Sequence, residues 1–139
     1  MLCENSPNKM SEIKWLLEET VYAIHKRQIA EHGGSDGVRD EGLLLSALAR
    51  PQNLLAYSEE TPDISALAAS LAYGIVKNHP FIDGNKRTAL VVARTFLLLN
   101  GYDVKATQEE KYLTFLKLAE GNLSEEELAE WIRQKLVQK

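Results

Sequence analysis

Cysteine is nearly missing from this chain: one residue in 139, Cys3, which leaves no partner for an internal disulfide or a cysteine-built metal site. Aromatic residues are scarce at 7%, so a core has to come mainly from Leu, Ala, Ile and Val. Long apolar runs are missing as well. The longest, residues 88–99, is interrupted by Arg94 and is too short to cross a bilayer. The first ten residues show no basic segment followed by an apolar one, so no secretory signal is read and the cytoplasm is the expected location. There is no overall basic excess either. A net charge of −4 argues against a general nucleic-acid binder.

What remains is 45% hydrophobic and 26% charged, the balance of one soluble globular domain. Residues 1–10 read as a disordered leader and 11–139 as the domain. Residues 13–16 suit a short strand or a first helical turn. Apolar residues spaced by three or four predict a helix over 18–32, stopped by Gly33-Gly34. A second helix is expected near 41–50, ended by Pro51, with 52–62 as a loop or small hairpin. Asp63 is placed to cap a helix whose apolar stripe runs through Ile64, Leu67, Leu71 and Ile75 to His79. The next helix, about 85–100, is apolar nearly all round and closes at Gly101, which predicts burial on most sides. Thr107 with Glu110 and Ser124 with Glu127 have capping-box spacing and start two more helices. No alternating stretch is long enough for a sheet. The predicted class is an all-α, single-domain helical bundle with room for one small β-hairpin.

Charge is uneven along the chain. Between Lys77 and Arg94 there are four cations and one anion, Asp83, with His79 in addition. A local cationic cluster on an acidic chain suits a compact anionic ligand. Within it, His79-Pro80-Phe81-Ile82-Asp83-Gly84-Asn85-Lys86-Arg87 joins the end of one buried helix to the start of another. The first N–H groups of the second helix have no internal partners and carry its positive dipole end, which makes an anion site. Gly84 allows close approach to that backbone, and Asp83 is placed to hold Mg²⁺ against phosphate oxygens. Lys86 and Arg87 sit at the unfavourable end of the dipole, which suggests that something negative binds there.

Each residue also has an ordinary reading. Asp-Gly-Asn is common turn chemistry, a histidine at a helix end is usually structural, and two surface cations need no ligand. Only their combination in nine residues favours a site. A Walker phosphate loop does not fit, because Asn85 separates Gly84 from Lys86 and a helix precedes the turn. His25 on an apolar stripe reads as a core histidine, His32 as a helix-end cap, and Trp15 and Trp131 as packing residues.

The nine residues resemble the motif His-x-Phe-x-(Asp/Glu)-Gly-Asn-x-Arg of the Fic/Doc family, matched by His79, Phe81, Asp83, Gly84, Asn85 and Arg87. The likeness extends over about 13–136 and is strongest to the Doc, or death-on-curing, toxin branch. It implies a Fic fold. It also implies a transferase using ATP and Mg²⁺, with His79 and Arg87 catalytic, Asp83 holding the metal, and Gly84, Asn85, Lys86 and Arg87 binding phosphates. Phe81 is implied to anchor the turn, and 52–62 to form the flap that docks the target.

Fic nucleotidyltransferases usually read Gly-Asn-Gly-Arg-x-x-Arg. Here Lys86 and Leu90 replace the second Gly and second Arg, as in Doc proteins. That implies transfer of the terminal phosphate, ahead of AMP transfer or a turnover-inactive binding module. Arg94, one turn past Leu90, either stands in for the missing arginine or pairs with a buried carboxylate. No glutamate has Ser or Thr four residues before it, so the self-inhibitory (Ser/Thr)-x-x-x-Glu helix of many Fic proteins is not found. Inhibition is then expected in trans from an antitoxin. The expected partners are that antitoxin, the nucleotide and a target protein of the translation machinery such as elongation factor Tu, with neither nucleic acid nor membrane.

Overall fold

The computed structural model describes residues 13–139, so the expected leader and Cys3 lie outside the described residues. Residues 13–17 form neither strand nor helix and lead into α1, Glu18–His32. Glu18 and Glu19 suit the positive end of α1, and Gly33 (φ 84°) closes it with an N–H bond to the Ile29 carbonyl. Val21, His25 and Gln28, at helical spacing, form its buried face.

Asp40 caps α2, Glu41–Tyr57, by accepting the Leu43 N–H at 3.0 Å. The expected stop at Pro51 does not occur. Proline removes only the bond to the Ala47 carbonyl, and its ring is fully buried, which offsets part of that cost. Residues 52–57 are therefore helical, and no hairpin forms in 52–62.

Asp63 caps α3, Ile64–Asn78, through the Ala66 N–H at 2.9 Å. Ten of its fifteen residues are buried, making it the central element. Small side chains allow that. A Cβ on Gly74 would lie 3.1 Å from the Ala47 backbone, so α2 and α3 pack almost backbone to backbone. Arg50 fastens this junction to a further helix, donating to the Ser70 carbonyl (3.2 Å) and to Glu125 (2.5 Å).

α4, Asn85–Leu99, is less enclosed than expected. Asn85, Thr88, Ala89, Val92, Ala93, Phe96 and Leu97 form one buried face, while Arg94, Leu98 and Leu99 are exposed. Its apolar solvent side misled the sequence reading. Trp15 stacks on Phe96 with ring centroids 5.7 Å apart, a packing role as read. Arg94 pairs with Asp103 at 3.0 Å and so is not part of the site.

The expected capping boxes start α5, Gln108–Ala119, and α6, Glu125–Lys135. β1, Tyr102–Val104, pairs antiparallel with β2, Leu136–Gln138, in the register Asp103 to Val137. These three-residue strands are too short to show alternation. The class is helical with one small two-stranded sheet, and the sheet lies beyond the far end of α4, away from its N-terminal turn.

Candidate active site

α3 ends at His79, whose N–H reaches the Ile75 carbonyl at 3.1 Å. His79 lies in the left-handed region (φ 51°, ψ 54°), the one non-glycine residue among those described with positive φ. Such a backbone costs about 1–2 kcal/mol and persists only where neighbours impose it. Here Arg39 imposes it. Its guanidinium donates to the His79 carbonyl (2.7 Å) and the Asn78 carbonyl (2.8 Å). The N–H groups of Arg39 and Asp40 both reach the Pro80 carbonyl, and Val38 forms a bridge with Phe81.

The turn beyond His79 is closed by one side chain. Asn85, 5% exposed, accepts the Phe81 N–H at 3.0 Å and donates to the Phe81 carbonyl at 2.9 Å. Its amide nitrogen also stands 3.3 Å from Nδ1 of His79. Phe81 is buried and stacks on His25, with ring centroids 3.9 Å apart and planes 7° from parallel. Phe81 is thus placed as the anchor the motif implied. His25 is a core histidine, as read, and it also does more: its Nε2–H donates to the Asp83 carbonyl at 2.8 Å.

Asp83 is exposed at the rim. One carboxylate oxygen accepts the Gly84 N–H (2.9 Å) and the other the Ser35 N–H (3.3 Å). Gly84 has a left-handed backbone (φ 78°) that disfavours other residues, and a Cβ there would stand 3.1 Å from the Ile29 side chain, a tight approach. α4 begins there with no side-chain cap, leaving its first N–H groups for an outside acceptor. Lys86 and Arg87 follow in the first turn.

These groups line one cavity of about 360 Å³, within the usual range for small-ligand sites. His79, Asp83, Gly84, Asn85, Lys86 and Arg87 all border it, with Gln28, Ile29 and His32 of α1 and Leu116 and Ala119 of α5 opposite. Arg27, Arg50, Arg94 and Arg133 each meet a carboxylate, and Arg39 meets carbonyls. Arg87, among the described residues, meets neither. A guanidinium left without an acceptor, beside uncapped helix N–H groups, is equipped to bind a phosphate chain.

A metal ion in this cavity has one carboxylate to use, Asp83, and no cluster of three His, Cys, Asp or Glu occurs among the described residues. That donor set fits Mg²⁺, which is commonly held by one or two carboxylates together with substrate phosphates and water. It does not fit a cage that binds metal unaided.

The model of the Fic/DOC family matches residues 15–97, more than half of the chain, and takes in the whole turn from His79 to Arg87. A protein of Escherichia phage P1 named protein kinase doc is 35% identical over 115 residues, covering 83% of this chain and 90% of its own length. The chain belongs to the Fic/Doc family. Another relative, toxin Doc of Mycolicibacterium smegmatis, is 45% identical over 74 residues, 53% of this chain. That alignment takes in only 57% of the relative's length. A protein adenylyltransferase Fic of Drosophila erecta is 45% identical over 60 residues, 40% of this chain and 12% of its own length.

Within this Fic/Doc chain, three contributors escaped the sequence reading. Arg39 lies between the first two expected helices and carries no reading there, His25 reads as core alone, and Tyr112 of α5 has no reading. Lys86 donates to the Tyr112 hydroxyl at 2.9 Å, and that ammonium holds the Tyr112 pKa below its ordinary value. No local pattern marks any of them, because each acts across 26 to 58 residues of sequence. Among the described residues no helix is long and apolar enough to cross a membrane.

Proposed function

We propose that this chain is the toxin of a toxin–antitoxin pair and transfers the terminal phosphate of ATP to a hydroxyl of a target protein. The observation that carries phosphate transfer over AMP transfer is Lys86. Its side chain lines the phosphate cavity beside Arg87, where nucleotidyltransferases of the family keep a glycine, and Leu90 offers no second clamp. The name of the phage relative, protein kinase doc, supports the same chemistry.

In this reading the open N–H groups of α4 and the two cations hold the phosphates, and Arg87 offsets charge that develops during transfer. His79 takes the proton of the attacking hydroxyl. Asp83 would hold the Mg²⁺ that comes with the nucleotide, an ion that neutralises phosphate charge when bound. The Asn85 side chain, engaged with Phe81 and His79, serves by fixing the turn, and its backbone N–H faces the phosphates. The missing inhibitory Ser/Thr-x-x-x-Glu pattern and the relative named toxin Doc both support an antitoxin acting in trans. Resemblance points to elongation factor Tu as the target class.

AMP transfer stays as the second reading because the adenylyltransferase relative matches across 60 residues. Incubation in a lysate with ATP labelled on the α or the γ phosphate separates the two. Label from γ on a protein band is expected. Label from α alone would reverse the order, and no label, or equal label with His79→Ala, would end the enzymatic reading.

A further inference from the structure

Lys86 and Arg87 share the positive end of α4, and neither forms an ion pair with a carboxylate among the described residues, although Asp83, Glu31 and Glu109 border the cavities they line. Two cations so placed repel each other and the helix dipole. One residue of another helix meets both. The Lys86 ammonium donates to the Tyr112 hydroxyl at 2.9 Å and lies 4.5 Å from the ring centroid. The Arg87 guanidinium carbon lies 5.0 Å from the same centroid. Both fall within the ~6 Å reach of a cation on an aromatic ring.

The choice of a tyrosine matters chemically. A carboxylate there would neutralise the pair and leave less attraction for a ligand. An aromatic face and a neutral hydroxyl hold cations while leaving their charge in place. A phosphate oxygen is a stronger acceptor for an ammonium than a phenol is, since in the phosphate bond both partners carry charge and in the phenol bond only the ammonium does. The hydroxyl can therefore be outcompeted, whereas the ring can keep its hold on Arg87. Tyr112 and Arg87 also border a second cavity of about 570 Å³ beside the first, so the ring stands at the side of the site and leaves the cavity with His79 open.

We propose that Tyr112 is a positioning residue for the two phosphate-binding cations: its ring keeps Arg87 aimed at the cavity, and its hydroxyl holds Lys86 until a nucleotide phosphate takes that ammonium over. This rests on the reading above only in that the cavity binds nucleotide phosphates. Tyr112 touches no reacting atom.

Calorimetric titration of MgATP into the His79→Ala chain, where turnover is stopped, tests the exchange. Tyr112→Phe keeps the ring and removes the competing acceptor, so MgATP binds more tightly, by about two- to tenfold for the loss of one hydrogen bond of ordinary strength. Tyr112→Leu removes the ring as well and binds about two- to fivefold more weakly than the Phe variant. Circular dichroism and melting temperature show whether each variant folds. The Phe change is small enough to decide the matter if the Leu variant does not. A dissociation constant for the Phe variant equal to or weaker than its parent's overturns the proposal. A parent that binds MgATP, in a protein whose wild type transfers no label, undoes the enzymatic reading and leaves the Tyr112 result standing. A parent that binds no MgATP overturns both.

Discussion

The Asn85 amide nitrogen stands 3.3 Å from Nδ1 of His79 while the same amide grips the Phe81 backbone at both its N–H and its carbonyl. The two Phe81 bonds fix which end of the amide is which, so the second amide hydrogen points at the histidine ring. Nδ1 is then the acceptor, and the neutral ring carries its own hydrogen on Nε2. A base that accepts a proton at Nε2 needs that hydrogen on Nδ1 instead. In the proposed role, a His79 that takes the proton at Nε2 first gives up the Asn85 contact, which at 3.3 Å is a long one.

Nitrogen-15 NMR of the ligand-free protein should show the Nε2–H tautomer for His79. A resting Nδ1–H tautomer would contradict this geometry. Asn85→Asp places a carboxylate at Nδ1 and should move the acid limb of the pH–rate profile upward, because a nearby anion favours the protonated ring.

Asn85→Ala leaves both Phe81 backbone groups without partners inside the fold. Unpaired buried groups cost about 1–3 kcal/mol each, so the urea midpoint should fall by an amount worth roughly 2–4 kcal/mol. A loss under ~1 kcal/mol would mean that water or a rearranged turn replaces the amide.

Lys86→Gly opens the position that nucleotidyltransferases leave empty. With ATP labelled separately on α and γ phosphates, the variant should shift from γ toward α transfer. Unchanged product chemistry would count against Lys86 as the determinant. His79→Ala should abolish label without unfolding the protein, and Asp83→Ala should remove the dependence on Mg²⁺.

Gly34 (φ 115°) has Asp83 against it. A Cβ there would come within 2.8 Å of the Asp83 carboxylate. Gly34→Ala should lower stability by about 1–3 kcal/mol, the usual cost of a strained backbone residue, and reduce activity more than stability alone explains. Equal activity with equal stability would show that the loop adapts freely.

The Arg94 guanidinium, first by hydrogen bonding, holds the Asp103 carboxyl down to about 2 from 3.8. A carboxylate lowered on folding adds stability that is full above the unfolded value and is lost as pH falls through the folded one. Denaturant midpoints should drop between about pH 4 and pH 2, and Asp103→Asn should flatten that part of the curve. A slope unchanged by the variant would assign the acid sensitivity elsewhere.

The sequence made the local parts of this molecule legible. Helix caps at Asp63, Thr107 and Ser124 stand within a few residues of what they satisfy, and the motif from His79 to Arg87 is continuous. Periodicity failed where tertiary packing outweighed it. Pro51 is carried inside α2 because its ring is buried, and the apolar outer side of α4 carries Leu98 and Leu99 in solvent. The holders of the site were invisible for a different reason. Arg39 and His25 reach the motif from 40 and 58 residues away, and nothing in their own neighbourhoods records that reach.

The motif's shape depends on residues it does not contain. Arg39 holds its first two carbonyls, Gly37 takes its Ile82 N–H, and Ser35 and His25 hold Asp83. Transplanting the nine residues onto a foreign helical hairpin would accordingly move the letters and lose the conformation. The hydrogen bonds that shape it join two stretches of chain, residues 25–40 and 79–87, which α2 and α3 connect. A permuted chain opened at Glu59, in the exposed loop after α2, would cut none of these contacts.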